Sequence, residues 1–203
     1  MRPLTGFVQL DSTIDLTESP EVYSPSDDSF LLLKVIDGVE GKKFLDMGCG
    51  IGLTGLHAAK KGAIVTAADI NPHAVECTRR NAARNNLKMQ VVRSDLFEKI
   101  NDEFDIIAFN PPYLPDETTS TSWLERSWTG GGEGSEVAVR FLRDAWKHLA
   151  PGGEIYLILS SIGGLMTVLK VAKERYESVM LEEKHMFFES VYAYKLCQRS
   201  SQF

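Results

Sequence analysis

Asn110-Pro111-Pro112-Tyr113 follows directly on the apolar run Phe104-Asp105-Ile106-Ile107-Ala108-Phe109. A strand ends there, two prolines fix the next backbone angles and remove two N–H donors, and an aromatic ring follows. The product is a stiff corner at the carboxyl end of a strand, where open α/β sheets hold their ligands. The side-chain oxygen of Asn110 and the main-chain carbonyl of Pro111 can together accept both hydrogens of one planar –NH2 group. Tyr113 can cover the flat face of that group. These residue types at this spacing suit a grip on an amide or an amino-substituted base, with a Pro-rich surface turn as the plain competitor for the tetrapeptide taken alone.

A second motif lies earlier. Asp46-x-Gly48-x-Gly50-x-Gly52 sits where a first strand turns into a first helix, and glycine there permits unusual backbone angles and close approach of a ligand to the main chain. Gly50-Ile51-Gly52-Leu53-Thr54-Gly55 also fits the dinucleotide pattern, with an acid, Asp69, about 20 residues downstream, so an NAD(P) enzyme is a legitimate competitor. Two features oppose it. The carboxylate of Asp46 would repel a pyrophosphate at the helix N-terminus, whereas a cofactor carrying a sulfonium and an ammonium and no phosphate, S-adenosylmethionine, is attracted by it. A further acid, Asp95, ends the run Val91-Val92-Arg93-Ser94-Asp95-Leu96, placed to accept a bond from an adenine amino group while Asp69 takes ribose hydroxyls. Singly, Asp69 and Asp95 read equally as strand-end caps. In the order Asp46, Asp69, Asp95, Asn110-Pro-Pro-Tyr113 the set is specific.

The elements that must position these residues alternate regularly. Ser26 or Asp27 caps a short helix ending at Gly38. Strands are expected at 44–47, 63–68, 89–93, 104–109 and 154–159, and helices at 53–61 and from Asn71-Pro72 to about Asn85, with Asn71 as cap and Pro72 at the first position. A loop containing Gly and Trp spans about 114–134. Ser135 caps a helix through Leu149 that Pro151-Gly152-Gly153 stops, and Gly163-Gly164 precedes another to about Arg175. Two final strands, from about Ser178 to Leu196, join near Met186. Such a βαβα succession means a mostly parallel sheet with helices on both faces, and the closing pair implies one antiparallel strand. The expected organisation is an irregular, surface-running segment at 1–22 and one domain over 23–203.

Composition bounds the rest. The chain has 203 residues, 43% hydrophobic and 25% charged, enough for one full core. Cys49, Cys77 and Cys197 are odd in number and far apart, with no metal-ligand spacing, so neither a disulfide framework nor a bound metal is expected. The first residues carry one Arg and no sustained apolar run, and the apolar stretches are strand-length, so neither a signal peptide nor a membrane span is expected and a reducing cytoplasm is the default location. A net charge of −6 argues against binding long nucleic acid. Arg79, Arg80, Arg84 and Lys88 on one helix are read as a solvated face. Asp116, Glu117, Glu125, Glu133 and Glu136 form an acidic rim opposed only by Arg126, which would attract a basic macromolecule. Trp123 and Trp128 read equally as substrate-facing or folded under.

Taken together, Asp46-x-Gly-x-Gly, Asp69, Asp95 and Asn110-Pro-Pro-Tyr113 resemble the class I S-adenosylmethionine-dependent methyltransferases with an NPPY motif, and within them the HemK/PrmC release-factor glutamine methyltransferases. Gly130-Gly131-Gly132-Glu133-Gly134 with Ala138-Val139-Arg140-Phe141-Leu142, and Tyr23-Ser24-Pro25-Ser26-Asp27-Asp28-Ser29-Phe30, are similar to that family's segments after NPPY and before the first strand. The similarity spans about residues 20–197. Two departures, the absence of room for an N-terminal helical domain and the loss of the Arg and Glu of P-R-P-D-T-E, point to the short archaeal and eukaryotic branch, whose members work with a small zinc-binding activator. The resemblance implies a single Rossmann-like methyltransferase domain with a seven-stranded sheet. It implies a cofactor site at Asp46, Gly48, Gly50, Asp69, Ile70, Asp95, Leu96 and Asn110, catalytic roles for Asn110, Pro111 and Tyr113, and substrate binding by Asn110, Pro111, Pro112 and Tyr113. The implied reaction is N-methylation of the glutamine of a Gly-Gly-Gln motif in a class I release factor. The alternatives are an exocyclic amine of adenine or guanine in RNA or DNA, a lysine or other protein group, and a non-enzymatic role as a binding module that stabilises its partner. In the usual strand order the third strand is an edge, a place for the activator to add a strand.

Overall fold

A computed structural model describes residues 11, 13–115 and 122–199. In chain order the elements are α1 (Asp27–Val35), β1 (Lys43–Met47), α2 (Leu53–Lys60), β2 (Ile64–Asp69), α3 (Pro72–Arg84), β3 (Gln90–Arg93), β4 (Phe104–Phe109), α4 (Trp123–Arg126), α5 (Glu136–Ala145), β5 (Leu149–Ser160), α6 (Leu165–Ala172), β6 (Tyr176–His185) and β7 (Ser190–Gln198). One seven-stranded sheet has the order β3-β2-β1-β4-β5-β7-β6. Strands β3 to β5 pair in parallel and β7 runs antiparallel to both its neighbours. The single reversed strand expected from the closing hairpin is β7, and the sheet agrees with the seven-stranded expectation.

Side-chain parity explains how the sheet buries both faces. Successive strand residues point to opposite faces. Leu45, Met47, Ile107, Phe109, Ile155 and Leu157 therefore share one core with Phe141 and Leu142 of α5 and Val168 of α6. Phe44, Val65, Ile106, Ala108 and Ile158 share the other with Leu31 and Leu32 of α1 and Ala58 of α2. Continuing the even-numbered parity of Ile106 and Ala108 sends Asn110, one residue past β4, toward the α1 side.

Several expected boundaries move. The helix opening after Ser135 ends at Ala145, and Trp146–His148 form one 3-10 turn. Pro151-Gly152-Gly153 does not end a helix. It lies inside β5, where the register steps from Phe104↔Leu149 to Ile106↔Glu154 and the surplus residues loop out as a bulge. A bulge tolerates Pro and Gly because its residues leave the ladder, so the same tripeptide that reads as a stop serves here as a kink. The loop at 114–134 contains α4. At the starts, Ser26 takes the N-cap position of α1, and Asn71 caps α3 by accepting from the His73 N–H at 2.9 Å.

Residues 13–22 lie along α3 without forming helix or strand. Asn81 ties them down, its Oδ1 accepting from Thr17 N at 3.0 Å and its Nδ2 donating to Thr17 O at 3.0 Å. Arg80 donates to Thr17 Oγ1 at 3.1 Å and Arg84 pairs with Asp15. Two members of the cationic row are thus clamps for this segment, and Arg79 donates to the Val91 carbonyl of β3 at 2.8 Å.

Candidate active site

Every site residue expected from the sequence lines one cavity of about 990 Å3 at the carboxyl ends of β1, β2, β3 and β4. The sequence separation is closed by topology. Parallel strands end on the same side, and each chemistry-bearing residue is at or just past a strand end.

The glycine turn forms the cavity's first wall. Gly48 has φ +64°, and a Cβ on it would meet the Phe109 ring at 3.0 Å, so the turn is pressed onto the end of β4 and admits no side chain. Asp46 is 4% exposed and accepts from the Gly55 N–H at 2.8 Å. Asp69 accepts from Gly50 N at 3.0 Å through Oδ2 and from Asn71 N at 2.9 Å through Oδ1. Amide donors at the start of α2 that a pyrophosphate would use are therefore already committed to two carboxylates. The dinucleotide reading fails here on geometry as well as on charge. Burial pushes the Asp46 carboxyl up to about 7, against the Gly55 N–H bond and assisted by the nearby Asp69. Burial likewise raises Asp69, opposed by its N–H partners. Burial and then the two acids raise the Cys49 thiol well above its ordinary value. Burial thus disfavours negative charge around the turn, and a cation entering the cavity would favour it.

The second wall comes from the ends of β2 and β3. Ile70 is exposed toward the cavity mouth. Asp95 pairs through Oδ2 with Arg140 of α5 at 2.9 Å and stays partly exposed, so an adenine amino group would meet its free lone pairs or displace the arginine. Leu96 adopts φ +46°, uncommon for a side-chain-bearing residue, and the Ser94 hydroxyl donates to its carbonyl at 2.8 Å.

The third wall is the Asn110-Pro111-Pro112-Tyr113 corner. Its backbone is held from behind by the following loop. Tyr113 N and Leu114 N donate to the Trp128 carbonyl at 3.1 and 2.8 Å, and Gly130 N returns a bond to Leu114 O at 2.8 Å. Gly134, at φ +76°, backs onto the Tyr113 carbonyl with no space for a Cβ. Trp123 and Trp128 both face the cavity, and Arg126 lies 5.0 Å over the Trp123 ring. Of the acidic rim, Asp116 and Glu117 lie outside the described residues. Glu136 turns back to accept from Glu133 N at 3.1 Å.

Two acids that the sequence reading gave no role complete the site. Asp28, at the second position of α1 and 4% exposed, accepts from Asn110 Nδ2 at 2.9 Å. It also accepts from the hydroxyls of Tyr113 at 3.3 Å and Tyr23 at 3.4 Å, and from Ser29 N at 2.6 Å. The Pro25-x-x-Asp28-Ser29 element was visible as a motif, but its partner is 82 residues away. Glu189, in the β6–β7 turn, accepts from Ser160 Oγ and also lines the cavity; nothing in the sequence signalled it. Burial, then Asp28 and Glu189, push the Tyr113 phenol far above its ordinary value, so it stays protonated. Among the described residues, Asn110 Oδ1 is a buried polar atom with no hydrogen-bond partner.

Comparison with known proteins agrees with this geometry. The family model for the methyltransferase small domain matches residues 13–189. A protein assigned as an N5-glutamine methyltransferase in Methanocaldococcus jannaschii is 42% identical over 154 residues, covering 74% of this chain and 78% of that one. Among solved structures, the E. cuniculi Mtq2-Trm112 complex, described as methylating the translation termination factor eRF1, superposes with a TM-score of 0.70 at 29% identity, covering 89% of this chain and 99% of its own. The T. thermophilus 16S rRNA N2 G1207 methyltransferase, in complex with AdoMet and guanosine, gives 0.67 at 25% identity over 87% of this chain and 44% of its own.

Proposed function

The chain belongs to the methyltransferase small domain family, among the HemK/PrmC-type enzymes, and on that premise we propose that it methylates the side-chain amide nitrogen of the glutamine in the Gly-Gly-Gln motif of a class I peptide release factor. S-adenosylmethionine, when bound, supplies an electrophilic methyl group on a sulfonium. The residues present fit that cofactor: acids line the cavity, Asp28 and Asp46 buried and Asp69, Asp95 and Glu189 partly so, and the helix amides that would otherwise receive phosphate are already bonded to Asp46 and Asp69. Gly48 and Gly50 would let it approach the main chain, Asp69 with Ile70 would hold its ribose, and Asp95 with Leu96 its base.

The observation that carries the acceptor assignment is the buried, unpartnered Asn110 Oδ1. A buried acceptor left unsatisfied costs about 1–3 kcal/mol, and a substrate N–H removes that cost. An amide offers two hydrogens on one nitrogen, one for Asn110 Oδ1 and one for the Pro111 carbonyl, while the Tyr113 ring covers its face. Amide nitrogen is a poor nucleophile because its lone pair is delocalised. Holding both hydrogens from one side frees the nitrogen to pyramidalise and aim that lone pair into the cofactor cavity, and orientation of this kind can supply about 7–11 kcal/mol of a barrier. The proton leaves after transfer, when the methylated nitrogen is strongly acidic, so the corner needs no strong base.

A nucleobase amine is the second reading, favoured by the same corner geometry and by the likeness to the guanosine-bound rRNA enzyme. The charges around the cavity weigh against it. Arg140 is engaged by Asp95 and Arg126 lies over an indole, while Glu189, Asp28, Asp46 and Asp69 face inward. A polyphosphate backbone gains little from such a surface.

For a partner, we infer that a small zinc-binding activator adds a strand to β3. This strand is one of the sheet's two edges, and beside it Ile64 at the start of β2 is 63% exposed and Ile70, just past its end, is 41% exposed. Unpaired edge groups next to exposed aliphatics suit strand addition by an apolar-faced subunit. A release-factor substrate would place the pair in the cytoplasm; no helix among the described residues is long and apolar enough to cross a membrane. Transfer of labelled methyl to a purified class I release factor, and not to its Gly-Gly-Gln→Gly-Gly-Asn variant, tests the assignment. Label on total tRNA instead would replace it with the second reading.

A further inference from the structure

We propose that Asp28 is the positioning residue that fixes the orientation of the Asn110 carboxamide, keeping its oxygen in the cavity and thereby making the site select an N–H donor as methyl acceptor. The proposal rests on the assignment of Asn110 as the acceptor's anchor.

A primary carboxamide has two nearly isosteric faces, and something must decide which of them meets the substrate. Here the decision is made by hydrogen-bond logic. Asp28 offers only acceptors to Asn110. Turning the amide over would set Asn110 Oδ1 against Asp28 Oδ2 at the present 2.9 Å separation, oxygen on oxygen. The nitrogen must face Asp28, so the oxygen must face the cavity, and Oδ1 is the atom left buried without a partner. Asp28 is itself held rigidly. Its Oδ1 accepts from Ser29 N at 2.6 Å and Ser29 Oγ at 3.2 Å, and Tyr23 and Tyr113 approach its two oxygens. With that many donors around it in a buried setting, the Asp28 carboxyl serves as a fixed template. The bond to the Tyr113 hydroxyl also aligns the ring that covers the acceptor with the amide that grips it.

The consequence is a site that rewards donors and penalises acceptors. A glutamine nitrogen is accommodated; a carboxylate or a carbonyl oxygen directed at Asn110 Oδ1 would meet like partial charge in a buried place.

An isosteric change separates this role from mere packing. In Asp28→Asn the side-chain oxygen is required by the immovable Ser29 N–H, which leaves –NH2 facing Asn110. The Asn110 amide then turns over to accept from it, and its own –NH2 enters the cavity. Asp28→Ala leaves the amide unguided, free to sample both orientations. The expected order of turnover is therefore Asp28 above Ala above Asn, with the Asn variant reduced about 100-fold or more in kcat and with cofactor affinity within a few-fold of wild type. A purely structural Asp28 predicts the reverse order, since Ala removes more contacts than Asn. Calorimetric titration with S-adenosylhomocysteine counts folded sites in each variant, so rates are compared per competent site. Independently of any substrate, the Asn110 carboxamide resonances, identified by their loss in Asn110→Ala, should show one hydrogen-bonded, slowly exchanging proton in wild type and lose that signature in Asp28→Asn. Asn above Ala in turnover, or an Asn110 signature unchanged in Asp28→Asn, overturns the proposal. Absence of glutamine methylation by wild type would reject the acceptor assignment while the resonance measurement still decides the role of Asp28.

Discussion

Gly134 lies so close behind Tyr113 that a Cβ on it would come within 2.2 Å of the Tyr113 carbonyl oxygen. Gly163, from the turn before α6, approaches the same carbonyl to 2.5 Å on the same measure. The Asn-Pro-Pro-Tyr corner is therefore clamped, backbone on backbone, between two segments far apart in sequence. Its stiffness is a property of the fold as well as of the prolines.

Gly134→Ala should accordingly damage both stability and turnover. The residue sits at φ +76°, so the substitution is strained before any clash is counted. A loss of roughly 2–3 kcal/mol, or a fall in Tm of about 5–10 °C for a chain of this size, is expected. Thermal melting with a parallel rate measurement checks it; an unchanged Tm would show that the corner is not clamped there.

Asn110→Ala should lower kcat by more than 100-fold, about 2.7 kcal/mol of transition-state stabilisation, with cofactor affinity within a few-fold. The side chain lines the cavity and bonds Asp28 of α1, and its loss leaves the glycine turn intact. Retained turnover would remove Asn110 from the reaction.

Asp69→Ala should act the other way, chiefly on cofactor affinity. The structure adds a second cost, because Asp69 also holds Gly50 N and Asn71 N. The variant should therefore bind cofactor at least 10-fold more weakly and also melt earlier, since two backbone donors lose their acceptor. Calorimetry and melting report both; unchanged affinity would refute the ribose role.

How much of this was legible beforehand depends on the range of the interaction. Strand β4 was readable from Phe104 to Phe109 because an apolar run bounded by Asn-Pro-Pro has few other fates, and α3 because Asn71-Pro72 is a strong helix start. The start of β5 was not, since Pro151-Gly152-Gly153 carries the same local signal whether it ends a helix or forms a bulge. Arg80 and Arg84 looked like a solvated face because their partners, Thr17 and Asp15, are in a segment with no periodicity. Asp28 was visible as a residue type and invisible as a partner. Its contact with Asn110 depends on the parity of β4 and the placement of α1, which only the assembled sheet supplies.

Acid titration offers a test of the charged turn. Asp46 titrates at about 7 in the folded protein against 3.8 for an ordinary Asp, so between those values the unfolded chain binds fewer protons than the native one. Stability of the cofactor-free protein should therefore fall as pH rises from about 4 to about 7 and level off above, with Asp69 contributing in the same direction. A bound cation favours the ionised acid, so cofactor affinity should rise from pH 6 to pH 8, roughly across the Asp46 titration, with proton release on binding. Asp46→Asn should flatten both profiles. Melting curves and calorimetry in buffers of different ionisation enthalpy check the signs; an affinity that falls with pH would reverse the account.

The central claim is that the acceptor is a glutamine amide gripped by Asn110, and localisation of the methyl group tests it most directly. A purified class I release factor is incubated with the enzyme and S-adenosylmethionine, with and without the candidate activator, and its tryptic peptides are sequenced by mass spectrometry. The account predicts one methyl group on the side-chain nitrogen of the Gly-Gly-Gln glutamine, greatest with the activator and lost with Asn110→Ala. Methyl found on lysine, or on RNA with none on that glutamine, would contradict it.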